Sequence, residues 1–232
     1  VLAAAAVAAL CHFTLDVPAR QTRRVHYYTA QHQWNRVLDV ARDIPAGGFS
    51  FDLAHNIYRA LYHSGRLLTD LFAYPQQPGA MLICMPENTG TVESISRLRE
   101  ARYLEVGEQA LEFGLANSAV EEGHEALAVW GDHATTLRRL ASAYVAKGQP
   151  EAARVFLNAL RRDLVQGRWA AETLARMERD PLLEGDPKIR EARSLMFQRD
   201  PEFFFSTTAA MCSLLREQNP MNRMAYEYLI AY

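Results

Sequence analysis

The chain has 232 residues, of which 49% are hydrophobic and 22% charged, a balance that excludes a disordered or low-complexity polymer and allows a sizeable buried core. Its formal net charge of −2 supplies no global field for nucleic acid or an anionic membrane surface, so nucleic-acid binding is not expected. Cys11, Cys84 and Cys212 lie far apart with no C-x-x-C pair, which argues against a zinc site or a disulfide framework. Lys147 and Lys188 are the only lysines. The remaining basic residues are arginines scattered among acids, which reads as codon bias rather than as a phosphate-recognition surface.

In chain order, the first element is an apolar run from Val1 to Leu15, broken at His12 and Thr14 and followed by Arg20, Arg23 and Arg24. It is shorter than the roughly 20 residues a spanning helix needs. Together with the absence of an initiating methionine, it predicts residues 1–18 as the end of a transmembrane or hydrophobic helix, with a trimmed signal sequence or a soluble alanine-rich helix as alternatives. Ala8-Ala9-Leu10-Cys11 resembles a lipobox, but Leu10 is not the small residue that motif requires. The arginines that follow weakly favour a cytoplasmic domain, although the side of the membrane stays open.

Residues 19–232 show internal repetition. The clearest unit runs from Thr136 to Asp163. Leu137, Leu140, Ala141, Tyr144 and Val145 form one helical stripe, Gly148-Gln149-Pro150 breaks the helix, and Ala153, Phe156, Leu157, Leu160 and Leu164 form the next stripe. This order of large, small and aromatic residues about a turn glycine matches the tetratricopeptide pattern. Shifting it back by 34 residues places a turn at Gly114, with Tyr103, Val106, Gly107 and Ala110 before it and Ala119 and Ala126 after it. A third turn falls at Gly65, after a helix from Asp52 to Ser64. The least regular turn is His32-Gln33, flanked by Val25, Tyr28, Val37 and Leu38. After Asp163, helices are predicted over Arg168–Arg179, Pro187–Gln198, Pro201–Gln218 and Asn222–Tyr232, without strict register. The fold expected is all-α, with tandem helix-turn-helix repeats forming an α-solenoid and an insertion at 75–91.

No nucleophile elbow, phosphate loop, H-E-x-x-H or D-D-x-x-D carboxylate cluster is present, so no catalytic residue, cofactor or metal site is assigned. Glu121, His124 and Glu125 share one helical turn but read as a solvated face rather than as metal ligands. His55, Tyr58, Tyr62 and His63 lie along one helix and are candidates to line a groove. Packed or surface side chains are the alternative reading for the histidines. The insertion contributes Tyr74, Gln76, Gln77 and Met85 as candidate partner contacts, because a long irregular loop inside a repeat array is uncommon. Phe203, Phe204 and Phe205 cannot all face one side of a helix, so at least one packs elsewhere. The last helix, with Met221, Met224, Tyr226, Tyr228, Leu229, Ile230 and Tyr232, is a possible docking surface.

Tyr27-Tyr28, Gln33-Trp34, Val37-Leu38, Arg59-Ala-Leu-Tyr-His-Ser-Gly-Arg-Leu67, Phe72-Ala-Tyr-Pro-Gln76, Gly114-Leu-Ala-Asn-Ser-Ala119 and Asn222-Arg-Met-Ala-Tyr-Glu-Tyr-Leu-Ile-Ala231 together resemble an uncharacterised bacterial membrane-protein family. That family has a multi-spanning N-terminal part followed by a tetratricopeptide-like region. The resemblance implies membrane association through the N-terminal segment and carries no catalytic residue over. The function expected is a non-catalytic scaffold that binds a protein or peptide. The alternatives are an accessory domain of a membrane enzyme, such as a lipid-linked glycan transferase, and a self-association module.

Overall fold

The computed structural model describes residues 17–77, 106–197 and 208–232. All regular structure among them is helical. The first sixteen residues, Met85, Tyr103, Phe203–Phe205, Cys11 and Cys84 lie outside the described residues. No described helix is long and apolar enough to cross a membrane. The chain divides into two compact units, one built on Val1–Met81 and one on Leu82–Ile230.

In the first unit, α1 (Val17–Ala30), α2 (Trp34–Arg42), α3 (Phe51–His63) and the short α4 (Leu67–Asp70) follow one another, with single 3-10 turns at Ala46–Gly48 and Leu71–Ala73. Helix α3 packs on α1, α2 and α4. Every residue from Leu53 to Leu61 is buried, including His55, Asn56 and Arg59. The leucine and isoleucine stripe explains the packing. The start of α3 is fixed electrostatically: His26 on α1 meets Asp52 in the first turn at 3.1 Å. Burial works against ionisation of Asp52, but hydrogen bonds from His26 and Ser50 and the charge of His26 outweigh it and hold the carboxyl at about 2. Because that value lies below the unfolded one, the stabilisation is fully present above about pH 4 and is lost as pH falls through about 2, a contribution of about 2 kcal/mol. Asp52→Asn should therefore lower the melting temperature of the first unit above pH 5, and the gap between variant and parent should close toward pH 2 in calorimetric scans.

The first described helix of the second unit, α5, covers 106–112. It continues with α6 (Ala116–Trp130), α7 (Ala134–Ala146), α8 (Pro150–Leu160), α9 (Gly167–Arg179), α10 (Pro187–Leu195), α11 (Thr208–Gln218) and α12 (Arg223–Ala231). Helix α7 packs on both α6 and α8, and α9 packs on α8. Leu137, Ala141, Val145, Ala153, Leu157, Leu160, Ala170, Met177, Leu183 and Ile189 form one buried cluster through these helices. Gly123 is what lets α6 approach α7: a Cβ there would lie 2.6 Å from a terminal methyl of the buried Leu140.

Four turns close in the same way. The second residue after each helix is left-handed: His32 at φ 52°, Gly65 at 67°, Gly114 at 87° and Gly148 at 73°. Its amide bonds back three residues, and the next amide bonds back five, as in Gly148 N to Val145 O and Gln149 N to Tyr144 O, both at 2.9 Å. This pattern satisfies the last carbonyls of each helix. Three of the four sites are glycine, which takes up that conformation without steric cost. The turn between α9 and α10 differs. Leu183 is left-handed there (φ 49°), and the Asp180 carboxylate accepts from Gly185 N at 2.9 Å.

The helices after α9 turn back on the earlier part of the unit. Arg193 on α10 donates to Val145 O (2.8 Å), Ala146 O (3.3 Å) and Leu182 O (3.0 Å), placing a cation at the C-terminus of α7, where the helix dipole favours it. Phe197 N donates to Gly114 O at 3.1 Å. Asn222 donates to Phe113 O at 3.0 Å, and Phe113 meets the Tyr228 ring edge-on at 5.2 Å. Leu164, expected on the inner face of α8, is instead fully exposed (102%), because α8 stops at Leu160 and Asp163 caps the next helix by accepting from Val165 N and Gln166 N. On α11, burial pushes the Cys212 thiol up to about 12. Cys212 should resist alkylation at neutral pH in the native protein and react at the rate of an ordinary thiol in denaturant, which mass spectrometry after iodoacetamide pulses would read.

Candidate functional site

The first unit contains a hollow of about 250 Å³. Its walls come from three stretches: the end of α2 with the loop after it (Arg42, Ile44, Phe49), the start and end of α4 (Arg66, Asp70), and the segment after it (Tyr74). Ile44, Phe49 and Tyr74 are buried and make an apolar floor. Arg66 donates to Asp70 through both Nε, at 2.7 Å, and Nη2. This bond holds the Asp70 carboxyl below the usual range and the Arg66 guanidinium above its own. Arg42 reaches Asp39 only at 3.7 Å, from an exposed position on the helix surface.

The residues nominated from sequence fall into three groups. Tyr58, Tyr74, Gln76 and Gln77 come together beside this hollow. The Tyr58 hydroxyl donates to the Gln76 side-chain oxygen and accepts from Gln77 N, both at 3.3 Å. The Gln76 amide donates to Leu71 O (2.9 Å) and Tyr74 O (2.7 Å), and the Gln77 amide donates to Phe49 O (2.8 Å). These three side chains therefore hold Phe49 and Tyr74 in place as walls. Burial raises the Tyr58 hydroxyl above its ordinary value, keeping it protonated as a donor.

Tyr62 and His63 form a second group. His63 stacks on Trp34 with centroids 4.3 Å apart and planes 10° from parallel; Tyr62 meets His63 edge-on, and the buried Arg59 guanidinium lies 5.6 Å from the Trp34 ring. His55 is buried within α3 and Met85 lies outside the described residues.

Sequence reasoning passed over Arg42 and Arg66. A weak signal was present, since Arg66 directly follows the turn glycine and sits four residues before Asp70.

In the second unit, His124 bonds the Tyr144 hydroxyl at 2.8 Å, and both rings pack with Phe156. His124 thus belongs to an aromatic cluster rather than to a pair of acids. Among the described residues no group of three His, Cys, Asp or Glu side chains converges as a metal site. A second hollow, about 360 Å³, is lined by Arg176, Arg179, Asp180 and Leu183, with Arg176 committed to Asp186 at 2.8 Å.

The described residues define an all-α protein of short helices joined by capped turns, with a small mixed polar and apolar hollow in its first unit. Residues 5–232 match the family described as "Family of unknown function (DUF6057)", and the chain belongs to that family. No curated protein and no solved structure matches the chain.

Proposed function

We propose that this chain is a tetratricopeptide-like helical-repeat module that binds a protein or peptide segment, attached to a membrane through its N-terminal segment. The observation that carries the binding reading is the hollow between α2, α4 and Tyr74, with fixed aromatic walls and arginines at its edge. Its volume lies below the ~300–1,000 Å³ of sites for drug-sized ligands and suits side chains of a docked segment better than a cofactor. The repeat reading rests on the four identically closed turns, two in each unit, each joining a pair of helices. The membrane reading rests on the apolar run from Val1 to Leu15.

Self-association is a second reading, favoured by the exposed apolar side chains Met221, Tyr226, Ile230 and Tyr232 at and beside α12. One experiment separates the two. A photo-crosslinking amino acid at Phe72, exposed beside the hollow, is compared with one at Tyr226 in source-cell membranes. Adducts to a different polypeptide from position 72 support the binding module. Adducts only to a second copy, from position 226, support self-association. No adduct from either position would count against both.

A further inference from the structure

We infer that the hollow of the first unit receives an acidic side chain together with a neighbouring large apolar one from a peptide, the carboxylate sitting between Arg42 and Arg66 and the apolar group on Ile44, Phe49 and Tyr74. This deepens the binding reading above and rests on it. The charged groups in the lining are Arg42, Arg66 and Asp70, with Asp39 beside Arg42, so two guanidiniums stand at this rim. Asp70 engages Arg66 through Nε and Nη2, and the Nη1 of Arg66 lies outside that pair. Arg42 is nearly unspent: its contact with Asp39 is long, and an exposed ion pair of that kind contributes little and is readily exchanged. A planar guanidinium offers a carboxylate two parallel donors, a geometry a lysine does not supply.

The donors outside the Arg66–Asp70 pair are those of Arg42 and the Nη1 of Arg66, a set that the two oxygens of one carboxylate can engage. The apolar part follows from the walls. Phe49 and Tyr74 are buried and held by Gln77 and Gln76 through their own carbonyls, so the floor is formed before any ligand arrives and little ordering is required on binding. Because the floor is apolar and the rim cationic, an acid alone or an apolar side chain alone would use half of the site.

The test uses the full chain, fluorescently labelled, on an array of random-sequence peptides of equal length. The strongest binder is then titrated in solution beside its Asp→Asn or Glu→Gln counterpart. The expected result is enrichment of acids next to Phe, Leu, Ile or Tyr, a loss of about tenfold in affinity on removing the acid, and a similar loss with Arg42→Gln. Arg162→Gln, an exposed arginine of the second unit, should change nothing. Arg42 is exposed on its helix, so an unchanged melting temperature for Arg42→Gln keeps folding out of the result. Peptides captured without acid enrichment, or affinity unmoved by Arg42→Gln, would overturn this inference and leave the binding module standing. Capture of no peptide at all would overturn it and count against the module as well.

Discussion

Gly114→Ala is expected to destabilise the second unit by about 3–5 kcal/mol, a large share of the ~5–15 kcal/mol that holds a typical domain folded. Two independent causes add at this position. The residue closes α5 at φ 87°, where any side chain costs about 1–2 kcal/mol relative to glycine. In addition, a Cβ built there would lie 2.0 Å from the carbonyl oxygen of Leu195 and 2.5 Å from its carbonyl carbon. Those atoms are backbone, so relief requires α10 to withdraw, and with it Arg193 from the carbonyls of Val145, Ala146 and Leu182. The comparison that isolates the second cause is Gly148→Ala. Gly148 closes its helix with the same hydrogen bonds at φ 73°, but nothing lies within 4 Å of its added Cβ. That variant should lose only the conformational part, about 1–2 kcal/mol. In a Trp34→Phe background, fluorescence of Trp130 and Trp169 during urea titration reports the second unit alone. Equal losses at both glycines would mean that the close approach of α10 to the turn does not exist in solution.

Asn222→Ala is expected to cost about 2–4 kcal/mol in the same assay. Asn222 is fully buried and uses both ends of its amide. The oxygen accepts from Ala225 N at 3.0 Å and caps α12, a contribution of about 1 kcal/mol. The nitrogen donates to Phe113 O at 3.0 Å, and removing it leaves a buried carbonyl without that donor, at about 1–3 kcal/mol. Asn222→Ser separates the two. A serine hydroxyl can cap the helix, but it is too short to reach Phe113, so it should recover about 1 kcal/mol and no more. A serine as stable as asparagine would show that the bond to Phe113 contributes nothing.

The helices around Gly65, Gly114 and Gly148 were legible because two signals agree there: a 3.6-residue stripe that names a face, and a glycine that only a left-handed cap requires. At His32 only the period pointed to a turn, since an imidazole gives no such cue. At Leu183 neither signal exists, and the break between the helices was legible instead from Asp180-Pro181 and Asp186-Pro187. That turn depends on Asp180 accepting from an amide five residues on, an arrangement that composition does not announce. Leu164 was misassigned because periodicity cannot tell the last residue of a helix from an apolar residue just beyond it, and Asp163 decides the matter through side-chain geometry.

The candidate site was legible only in outline. Tyr74 was found through the oddness of the segment it begins. Tyr58, Gln76 and Gln77 were nominated as partner contacts, yet their polar atoms fasten the walls from behind. Arg42 and Arg66 were lost among many surface arginines. Their significance lies in a shared hollow between α2 and α4, which sequence spacing does not encode.

The return of α12 to α5 has a cost during synthesis. Phe113 and Asn222 are 109 positions apart, and Gln109 and Tyr228, whose side chains meet at 3.4 Å, are 119 apart. At roughly 5–20 residues per second, the ribosome releases α5 on the order of ten seconds before the helix that covers it. Over that interval the apolar side of Phe113 is open to whatever is nearby. Until α12 emerges, Phe113 lacks the Tyr228 ring that packs on it in the folded unit.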